Sequence, residues 1–576
     1  MPGPIMMYNT INCFLLGVIM DYIIAAIIIL STSIVIFITN RRNMIKMKAC
    51  LKDSIGRKPA DRVYSLDSIA GYHNLTEKYT DTSRYIDAIT WNDLEMDKVF
   101  RRINTCLTSI GEECLFHLMH VPNFSGEEQS KLENMIDYLD RNPEQRYRIQ
   151  LCLSKLGKMD RNNIASYIFD LDSKRLKRPY MYTVLAVLPL LCAASMLINL
   201  PMGIMLLIIA LGINVIVNSA VNMRLENNLA VIQYFGGMLW SCKRVLGISD
   251  AAFAGLTGNL RSAYDVFKRY GSRLPRSMWK MGTDFDFISS YWGVVTFGNI
   301  RNYNSVVGQM SRHRDSLRTL YEEFGKIDIA LSVLSFRRSL EAFCIPEFNA
   351  GDKVIRFDGV YHPLLEDAVT NSGVIAKNSI ITGPNASGKS TFIKALAINA
   401  ILAQTIHTCT AQRFRLRHSL VMTSMAVRDD LIKGESYFIT EIISLKRILD
   451  KIEQMPCTCF IDEILRGTNT VERIAASSAI LEYLDGRDCL CMIASHDMEL
   501  AAMMDQLYDN YHFTENVTDD GIQFDFKLRR GIAASTNAIK LLGMLGYDMS
   551  IVKKARSYVD KYFKERSRGN LHPSES

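Results

Sequence analysis

The chain has 576 residues, which is too long for a single hydrophobic core, so two to four domains are expected. Its net charge of +7 is modest for this length and permits binding to nucleic acid or anionic lipid without requiring either. Hydrophobic residues make up 48% of the chain, and the excess lies in two blocks. The composition thus excludes a single-domain protein and directs attention to those blocks.

The thirteen cysteines are scattered, and their closest pairs do not have the spacing of a metal site. Cys457 and Cys459, like Cys489 and Cys491, lie in apolar runs that predict buried strands. Residues two apart face the same side of a strand, so these thiols are interpreted as small core side chains. Without a pair of CxxC motifs, no zinc site is predicted, and we expect free thiols in a reducing compartment.

The first hydrophobic block predicts an N-terminal membrane anchor, residues 1–42. Residues 22–40 carry no charge, and Arg41, Arg42, Lys46 and Lys48 follow directly. About 20 apolar residues span a bilayer core. A signal peptide would carry positive charge before the apolar run, whereas the basic cluster after it places the following chain in the cytoplasm. The alternative is a buried helix of a soluble domain.

The second block, residues 181–223, contains no charged residue and is roughly twice as long as one crossing requires. Pro201 and Gly203 interrupt it midway, as turn-forming residues do. Basic residues precede it in "DSKRLKR", and Arg224 follows it. The pattern predicts a transmembrane helical hairpin, with membrane lipid as a partner and the bulk of the chain cytoplasmic. A buried pair of helices inside a soluble domain is the alternative.

The remaining chain changes character near residue 348. Residues 43–180 and 224–348 show helical spacing of apolar residues and are interpreted as two parts of one helical region. Residues 349–576 alternate β-rich runs, among them "SIITG", "SLVMTSMAV", "CTCFIDE" and "DCLCMIASH", with helical stretches. That alternation is typical of an α/β sheet.

The segment "SIITGPNASGKSTF" combines an apolar strand, a glycine-rich loop and a helix start, which is the context of a P-loop. The glycines let backbone N–H groups surround a β-phosphate at a helix N-terminus. Lys389 would neutralise phosphate oxygens, and Ser390 would ligate Mg²⁺. The residues predicted to bind ATP here are Gly383, Pro384, Asn385, Ala386, Ser387, Gly388, Lys389, Ser390 and Thr391.

Two later strand ends supply the expected catalytic partners. Asp462 ends the apolar strand in "TCFIDE", where its carboxylate would help to hold Mg²⁺. Glu463 follows directly and is predicted to orient the attacking water. His496 ends "MIASH" and is predicted to sense the γ-phosphate; a purely structural histidine is the alternative.

Several motifs in one order resemble the MutS family of DNA mismatch-repair ATPases, within the ABC-like class. "HPLL", "TGPNASGKSTF", "DDLIKGESYFITE", "DEILRGTNT" and "ASHDMEL" are similar to the family's ATPase motifs, and "KLRRGIAASTNAIKLLGMLGYDMSIVKKA" resembles its closing helix-turn-helix segment. Upstream, "WNDLEMDKVFRRINTCLTSIGEECL" is similar to the start of the family's helical core.

The resemblance implies an ABC-like α/β ATPase domain preceded by an all-α core and lever, with ATP and Mg²⁺ as cofactors. It also implies a homodimer in which Ser436, at the signature serine, approaches the other copy's γ-phosphate. Residues 466–470 would lie across that interface. DNA is the partner that the resemblance implies, with helical arms opening and closing around it.

The pattern departs from the family in the N-terminal region. No F-x-E tripeptide, the family's mismatch wedge, occurs before residue 350, and residues 43–90 are too few for that domain. Tyr437 and Thr440 replace usual signature residues but retain the serine-to-glutamate frame. Two rivals stay open: an ABC-type transport ATPase, which the missing LSGGQ disfavours, and a membrane-bound, ATP-switched scaffold that binds no DNA.

Overall fold

The structure is a computed structural model. It describes residues 31–567 except residues 33, 36–37, 40, 60–64, 160–164, 249, 272–295, 350, 385–386, 426–436, 519–520, 533–538, 540–541 and 543–545. Most of the expected N-terminal span, residues 22–40, therefore lies outside the described residues. Directly after it, residues 41–52 are helical.

The described chain is helical up to residue 338. The helices are α1 (Gly71–Glu77), α2 (Ala88–Asp93), α3 (Met96–Ile103), α4 (Ser109–His120), α5 (Glu127–Arg141), α6 (Pro143–Leu156), α7 (Ser166–Phe169), α8 (Pro179–Ser195), α9 (Leu200–Ile248), α10 (Ala251–Leu256), α11 (Gly258–Gly271), α12 (Gly298–Arg312) and α13 (Arg314–Arg338).

Helices α4 and α13 form the centre of this helical part. Thr108 caps α4 by accepting a hydrogen bond from the Gly111 amide at 3.0 Å. The fully buried carboxylate of Asp328, on α13, accepts from the amide and hydroxyl of Thr108 at 2.8 and 2.6 Å. A Cβ on Gly111 would collide with Asp328, and a Cβ on Gly325 would lie 2.6 Å from Sγ of Cys114. Both glycines are needed for the two helices to approach so closely.

Helices α8 and α9 form an antiparallel pair joined by residues 196–199. The side-chain amide of Asn214 donates to the carbonyl oxygen of Leu185 at 3.0 Å, which holds the two legs together. Pro201 and Gly203 lie in the first turn of α9 rather than in the connection. Among the described residues, α9 is the helix that is long enough and apolar enough to cross a membrane. Only 17% of its most apolar stretch is buried. Helix α8 is also apolar but is shorter.

The C-terminal part is an α/β domain, as the sequence predicts. Its central sheet has six strands in the order β12-β9-β4-β8-β7-β6, parallel except for β12, and a second sheet has the order β1-β5-β2-β3. The strands are β1 (Glu347–Asn349), β2 (Ile355–Val360), β3 (Asn371–Ile375), β4 (Ser379–Thr382), β5 (Arg413–Arg417), β6 (Leu420–Ser424), β7 (Cys457–Asp462), β8 (Cys489–Ala494), β9 (Asp509–His512), β10 (Glu515–Thr518), β11 (Gly521–Phe524) and β12 (Arg529–Arg530).

In the described part of the chain, the α/β domain also contains five helices, the last of which comes after the strands in the chain. They are α14 (Lys389–Thr405), α15 (Tyr437–Ile452), α16 (Thr470–Asp485), α17 (Met498–Met503) and α18 (Met549–Ser567). Strand β1 pairs with β5, so the domain begins at residue 347, two residues before the boundary expected from the sequence. The paired cysteines lie side by side on β7 and β8 (Cys457 beside Cys489, Cys459 beside Cys491) and are buried, free thiols. Among the described residues, no group of side chains has the geometry of a metal site.

Several polar contacts join the helical part to the α/β domain, among them those of Asp93 and Arg337. At the open edge of the central sheet, the carboxylate of Asp93 on α2 accepts from the hydroxyl of Thr423 at 2.7 Å and from the Met425 amide at 3.0 Å. Near the end of α13, the buried Arg337 makes a bidentate pair with Glu133, both distances 2.7 Å. Arg337 also donates to the carbonyl oxygen of His407 at 2.9 Å. The edge of the central sheet and the end of α13 are therefore two places where the helical part is held against the α/β domain.

Candidate active site

The loop between β4 and α14 requires glycine at two positions. Gly383 has a φ of +145° and Gly388 a φ of +98°, which side chains rarely adopt. A Cβ on Gly383 would lie 2.7 Å from the carbonyl oxygen of Phe513, and a Cβ on Gly388 would lie 2.9 Å from Cδ1 of Phe526. The loop therefore keeps its backbone accessible to a ligand at the N-terminus of α14, as an anion site needs.

Lys389 is the first residue of α14 and is buried. Its Nζ donates to the carbonyl oxygens of Gly383 and Pro384, at 2.6 and 2.8 Å. Burial lowers the pKa of Lys389 to about 8, although nearby Asp462 acts in the opposite direction. The ammonium thus lies within the loop that a phosphate would occupy, and a bound phosphate would relieve its desolvation.

The hydroxyl of Ser387 is a second sign of an anion site. It is buried, and among the described residues no group forms a hydrogen bond with it. Buried polar atoms are normally satisfied, so an orphaned hydroxyl in a glycine-rich loop fits a ligand with acceptor oxygens. Ser390 and Thr391 follow on α14 and line the same cleft. These residues fit a nucleotide phosphate, with the Ser390 hydroxyl available to Mg²⁺.

The acidic pair lies across the cleft, where β7 ends. Asp462 is the last residue of β7, and Glu463 follows with a φ of +59°. The amide of Glu463 donates to the carbonyl oxygen of Ala494 at 2.9 Å, so the neighbouring strand β8 holds it in this left-handed conformation. Such backbone strain in a residue other than glycine is typical of functional sites.

The carboxylate of Glu463 is held from both sides. Its Oε1 lies 2.8 Å from Nε2 of His496, and its Oε2 accepts a hydrogen bond from Nε of Arg466. Burial, helped by the positive charges of Lys389 and Arg466, lowers the pKa of His496 below its ordinary value. At neutral pH the imidazole is therefore neutral, and its Nε2–H donates to the carboxylate.

The cleft between these groups has a volume of about 380 Å³. Besides the loop, Glu463 and His496, it is lined by Tyr361 and His362 of the "HP" segment and by the ring of Phe526. Asn371 fixes the backbone around Phe526, donating to its carbonyl oxygen at 3.0 Å and accepting from the Leu528 amide at 2.8 Å. The cleft thus has a polar phosphate end and an aromatic wall.

Sequence reasoning missed this aromatic wall. Phe526 comes just before the closing "KLRRG" segment, and Asn371 lies on β3, more than a hundred residues earlier. The only local signal for Phe526 is that an aromatic residue directly precedes a family-like segment. Nothing in the sequence near Asn371 indicates its contact, since it arises from the packing of the two segments.

Three of the residues predicted to bind nucleotide lie outside the described part of the chain. They are Asn385, Ala386 and the signature residue Ser436. Arg466, expected at a dimer interface, contacts Glu463 of its own chain, and Gly467 lies against Phe438 of α15. The structure therefore brings together Gly383, Pro384, Ser387, Gly388, Lys389, Ser390, Thr391, Asp462, Glu463 and His496 at one edge of the central sheet.

Comparison with known proteins agrees with this geometry. MutS domain V matches residues 379–562, which span the loop, the acidic pair and His496. Residues 379–562 are therefore a MutS domain V. Domain V is the ATPase domain of the MutS family.

Three relatives show how far the similarity extends. The DNA mismatch repair protein MutS of Thermotoga petrophila is 29% identical over 46% of this chain and 35% of its own length. MutS of Natronomonas pharaonis is 28% identical over 44% of this chain and 30% of its own length. The DNA mismatch repair protein MutS 2 of Halobacterium salinarum is 31% identical over 36% of this chain and 26% of its own length. The chain thus spans about a third of the length of the curated relatives it matches.

Proposed function

We propose that this protein is a membrane-anchored, Mg²⁺-dependent ATPase of the MutS type that moves helical arms, with DNA as its partner. The observation that carries the ATPase part is the Glu463–His496 pair facing the buried Lys389 across one cleft. In this mechanism Lys389 leaves its loop carbonyls to contact phosphate oxygens. Ser390 and Asp462 would hold Mg²⁺, which neutralises phosphate charge when bound.

Glu463 acts as the group that orients and deprotonates the attacking water. Its carboxylate is an acceptor for a water proton, while His496 and Arg466 fix its two oxygens. To sense the γ-phosphate, His496 would move its N–H from Glu463 to a phosphate oxygen, because Nδ1 of a neutral ring that donates through Nε2 is an acceptor. Phe526 supplies a flat apolar surface against which a nucleotide base stacks.

A second copy of the chain would complete each site. Exposed apolar side chains on α15 and α16 support this: Ile443 is 54% exposed and Val471 is 74% exposed. Paired copies would cover these side chains and bring Ser436 of one copy toward the nucleotide of the other. Nucleotide state would then change the dimer, since the γ-phosphate is a contact made only in the closed state.

The contacts of Asp93 and Arg337 are the route by which such a change would reach the helical arms. Met425, which donates to Asp93, directly precedes residues 426–436 with the signature serine. A displacement of that segment acts on α2 through this hydrogen bond. Arg337, in turn, ties α13 to the α/β domain. Both contacts are polar and partly buried, which makes them stronger than the same contacts would be in water.

Membrane anchoring is supported by the surface of the α8–α9 pair. Leu197 and Ile198 at its tip are 93% and 91% exposed, and Leu190 and Ile216 on its legs are 68% and 70% exposed. Exposed apolar surface of this extent is unfavourable in water and favourable in lipid. The hairpin and the span at residues 22–40 would thus hold the protein in a membrane, with the ATPase domain in the cytoplasm.

Binding of the detergent-solubilised protein to homoduplex, mismatched and branched DNA, with and without ATP, tests the DNA partner. The series should be repeated over a range of salt concentrations, because backbone-held DNA is released by salt. Retention that depends on ATP supports the proposal. Failure to retain any DNA in any nucleotide state overturns it and favours the scaffold.

The ATPase part has its own test. Activity per chain should rise with protein concentration until dimers form, because each copy completes the other's pocket. Constant activity per chain at concentrations where sedimentation shows only single copies would contradict paired sites.

A further inference from the structure

The open end of the hairpin carries unpaired positive charge. Lys177 and Arg178 precede α8, Arg224 lies on the returning leg, and Arg301 lies on α12, which packs beside them. Among the described residues, none of these four cations has an ion-pair partner. They lie where the apolar surface of the hairpin begins.

The nearby carboxylates do not neutralise this charge. Asp172 accepts from Ser311 at 2.8 Å and pairs with Arg314 at 3.2 Å, so it is already engaged further along α12 and α13. Glu226 is exposed on α9, two residues beyond Arg224. Among the described residues, the net charge at the open end of the hairpin is therefore positive. A positive surface of this kind attracts anionic lipid.

A cleft of about 230 Å³ lies between the first turn of α8 and α12. Arg301, Tyr180, Thr183 and Ser305 line it, and no described carboxylate does. Asn304 frames it by accepting from the amide of Leu176 at 3.2 Å. The cleft thus combines one guanidinium with several hydroxyl groups, which are donors suited to phosphate oxygens.

The hydrogen bonds around the cleft keep its walls in place. The hydroxyl of Tyr303, buried on α12, donates to the carbonyl oxygen of Lys174 at 2.7 Å. Together with the Asn304 contact, this fixes the basic segment before α8 against α12. The cleft is therefore a formed site rather than a gap between two independent helices.

We propose that this cleft binds the phosphodiester headgroup of an anionic phospholipid, with Arg301 as its phosphate contact. This inference rests on the proposed membrane insertion of the hairpin. A lipid phosphate is favoured over a soluble one because the exposed apolar side chains begin beside the cleft: Tyr180 is 66% exposed and Val184 is 64% exposed. Acyl chains would lie along α8, while Lys177, Arg178 and Arg224 attract the anionic surface.

Native mass spectrometry of the detergent-solubilised full chain tests the proposal. Phosphatidylglycerol and phosphatidylcholine are titrated in parallel, and the retained lipids are counted. Preferential retention of phosphatidylglycerol is expected, with affinity about tenfold lower in Arg301→Gln, the size of one charge-assisted hydrogen bond. Arg301→Lys should retain part of the preference. Arg312→Gln is the matched control, since it removes an exposed arginine from the same helix about 16 Å away.

Three outcomes would overturn the inference. Equal retention of the two lipids would show that the cleft does not select an anionic headgroup. An unchanged preference in Arg301→Gln would show that Arg301 is not the phosphate contact. Displacement of phosphatidylglycerol by an equal concentration of soluble glycerol 3-phosphate would show a soluble-anion site instead. Flotation with phosphatidylcholine vesicles distinguishes failure of the headgroup site from failure of membrane insertion. A chain that floats but shows no lipid preference contradicts only the headgroup site. A chain that does not float with any vesicle contradicts membrane insertion itself.

Discussion

His496 Nε2 lies 2.8 Å from Oε1 of Glu463, and the register of the central sheet places the two residues there. Strands β7 and β8 pair in parallel with Asp462 beside Ala494, so the residues after these positions emerge at the same edge. The amide of Glu463 donates to Ala494 and turns its side chain toward His496. The pairing of strands β7 and β8 therefore sets the distance between Glu463 and His496.

Replacing Glu463 by Gln should leave ATP binding intact and abolish most turnover. The amide preserves the size of the side chain but cannot accept the water proton, so kcat should fall by about 10²–10⁴. Single-turnover hydrolysis and equilibrium ATP binding measure the two effects separately. Glu482→Gln is the control, because Glu482 is exposed on α16. Hydrolysis in Glu463→Gln at the rate of that control would refute the assigned role.

Replacing Gly388 by Ala should weaken nucleotide binding at least tenfold. The substitution forces a side chain into a φ of +98°, which costs about 1–2 kcal/mol, and its Cβ would press on the ring of Phe526. Gly486→Ala is the matched control, since Gly486 has a φ of −75° and its added Cβ would lie 3.8 Å from its nearest neighbour. Nucleotide affinity measured by calorimetry should change only in the first variant. Equal affinities for the two variants would show that the loop is not the binding cradle.

The sequence was sufficient to predict the strand–loop–helix of the P-loop and the strand ends that carry Asp462, Glu463 and His496. Those features are local, since glycine conformation, apolar runs and the residue after a strand are encoded within a few positions. The helical pair α8–α9 was equally visible, because uncharged residues run through both legs. Its place in a membrane stays a prediction.

The contacts that join distant segments could not be predicted. Asn371 holds the backbone of Phe526 across 155 residues of sequence, and Asp93 reaches Thr423 across 330. Neither lies in a pattern whose period or spacing indicates its partner. Such contacts depend on how whole helices and sheets pack, which single-sequence patterns do not specify.

Arg337→Gln should destabilise the protein markedly. Arg337 and Glu133 are 5% and 16% exposed, and removing one partner of a buried pair leaves a desolvated charge, at a cost of about 3–5 kcal/mol. Burial alone would raise the pKa of Glu133, but hydrogen bonds from Arg337 and His407 outweigh it and lower that pKa to about 2. The neighbouring Arg338 pairs with Asp140 at exposures of 51% and 39% and should contribute less than about 1 kcal/mol. The melting temperature should fall much further in Arg337→Gln than in Arg338→Gln. Equal melting temperatures would show that the buried Arg337–Glu133 pair contributes no more to stability than the exposed pair.

Acid should destabilise the helical part through a cluster of buried histidines. His73 Nδ1 lies 3.1 Å from Nδ1 of His117, and its ring lies 4.0 Å from that of His120. One of the two facing nitrogens must accept, so the pair requires a neutral ring. Burial lowers the pKa of His73 to about 4, and burial together with the charges of His73 and Arg318 lowers that of His117 to about 3.

The lowered pKa values of these histidines make the folded state less stable in acid. Because the folded pKa of His73 is below its ordinary 6.5, the unfolded chain binds more protons in acid. Stability is therefore complete above pH 6.5 and is lost as the pH falls toward 4, by about 3 kcal/mol for His73 alone. Hydrogen exchange in residues 71–77 and 109–120, corrected for intrinsic rates, should accelerate over this range. His73→Leu should flatten the dependence, whereas His313→Gln, at an exposed site, should leave it unchanged; an identical pH profile in His73→Leu would exclude the cluster as its source.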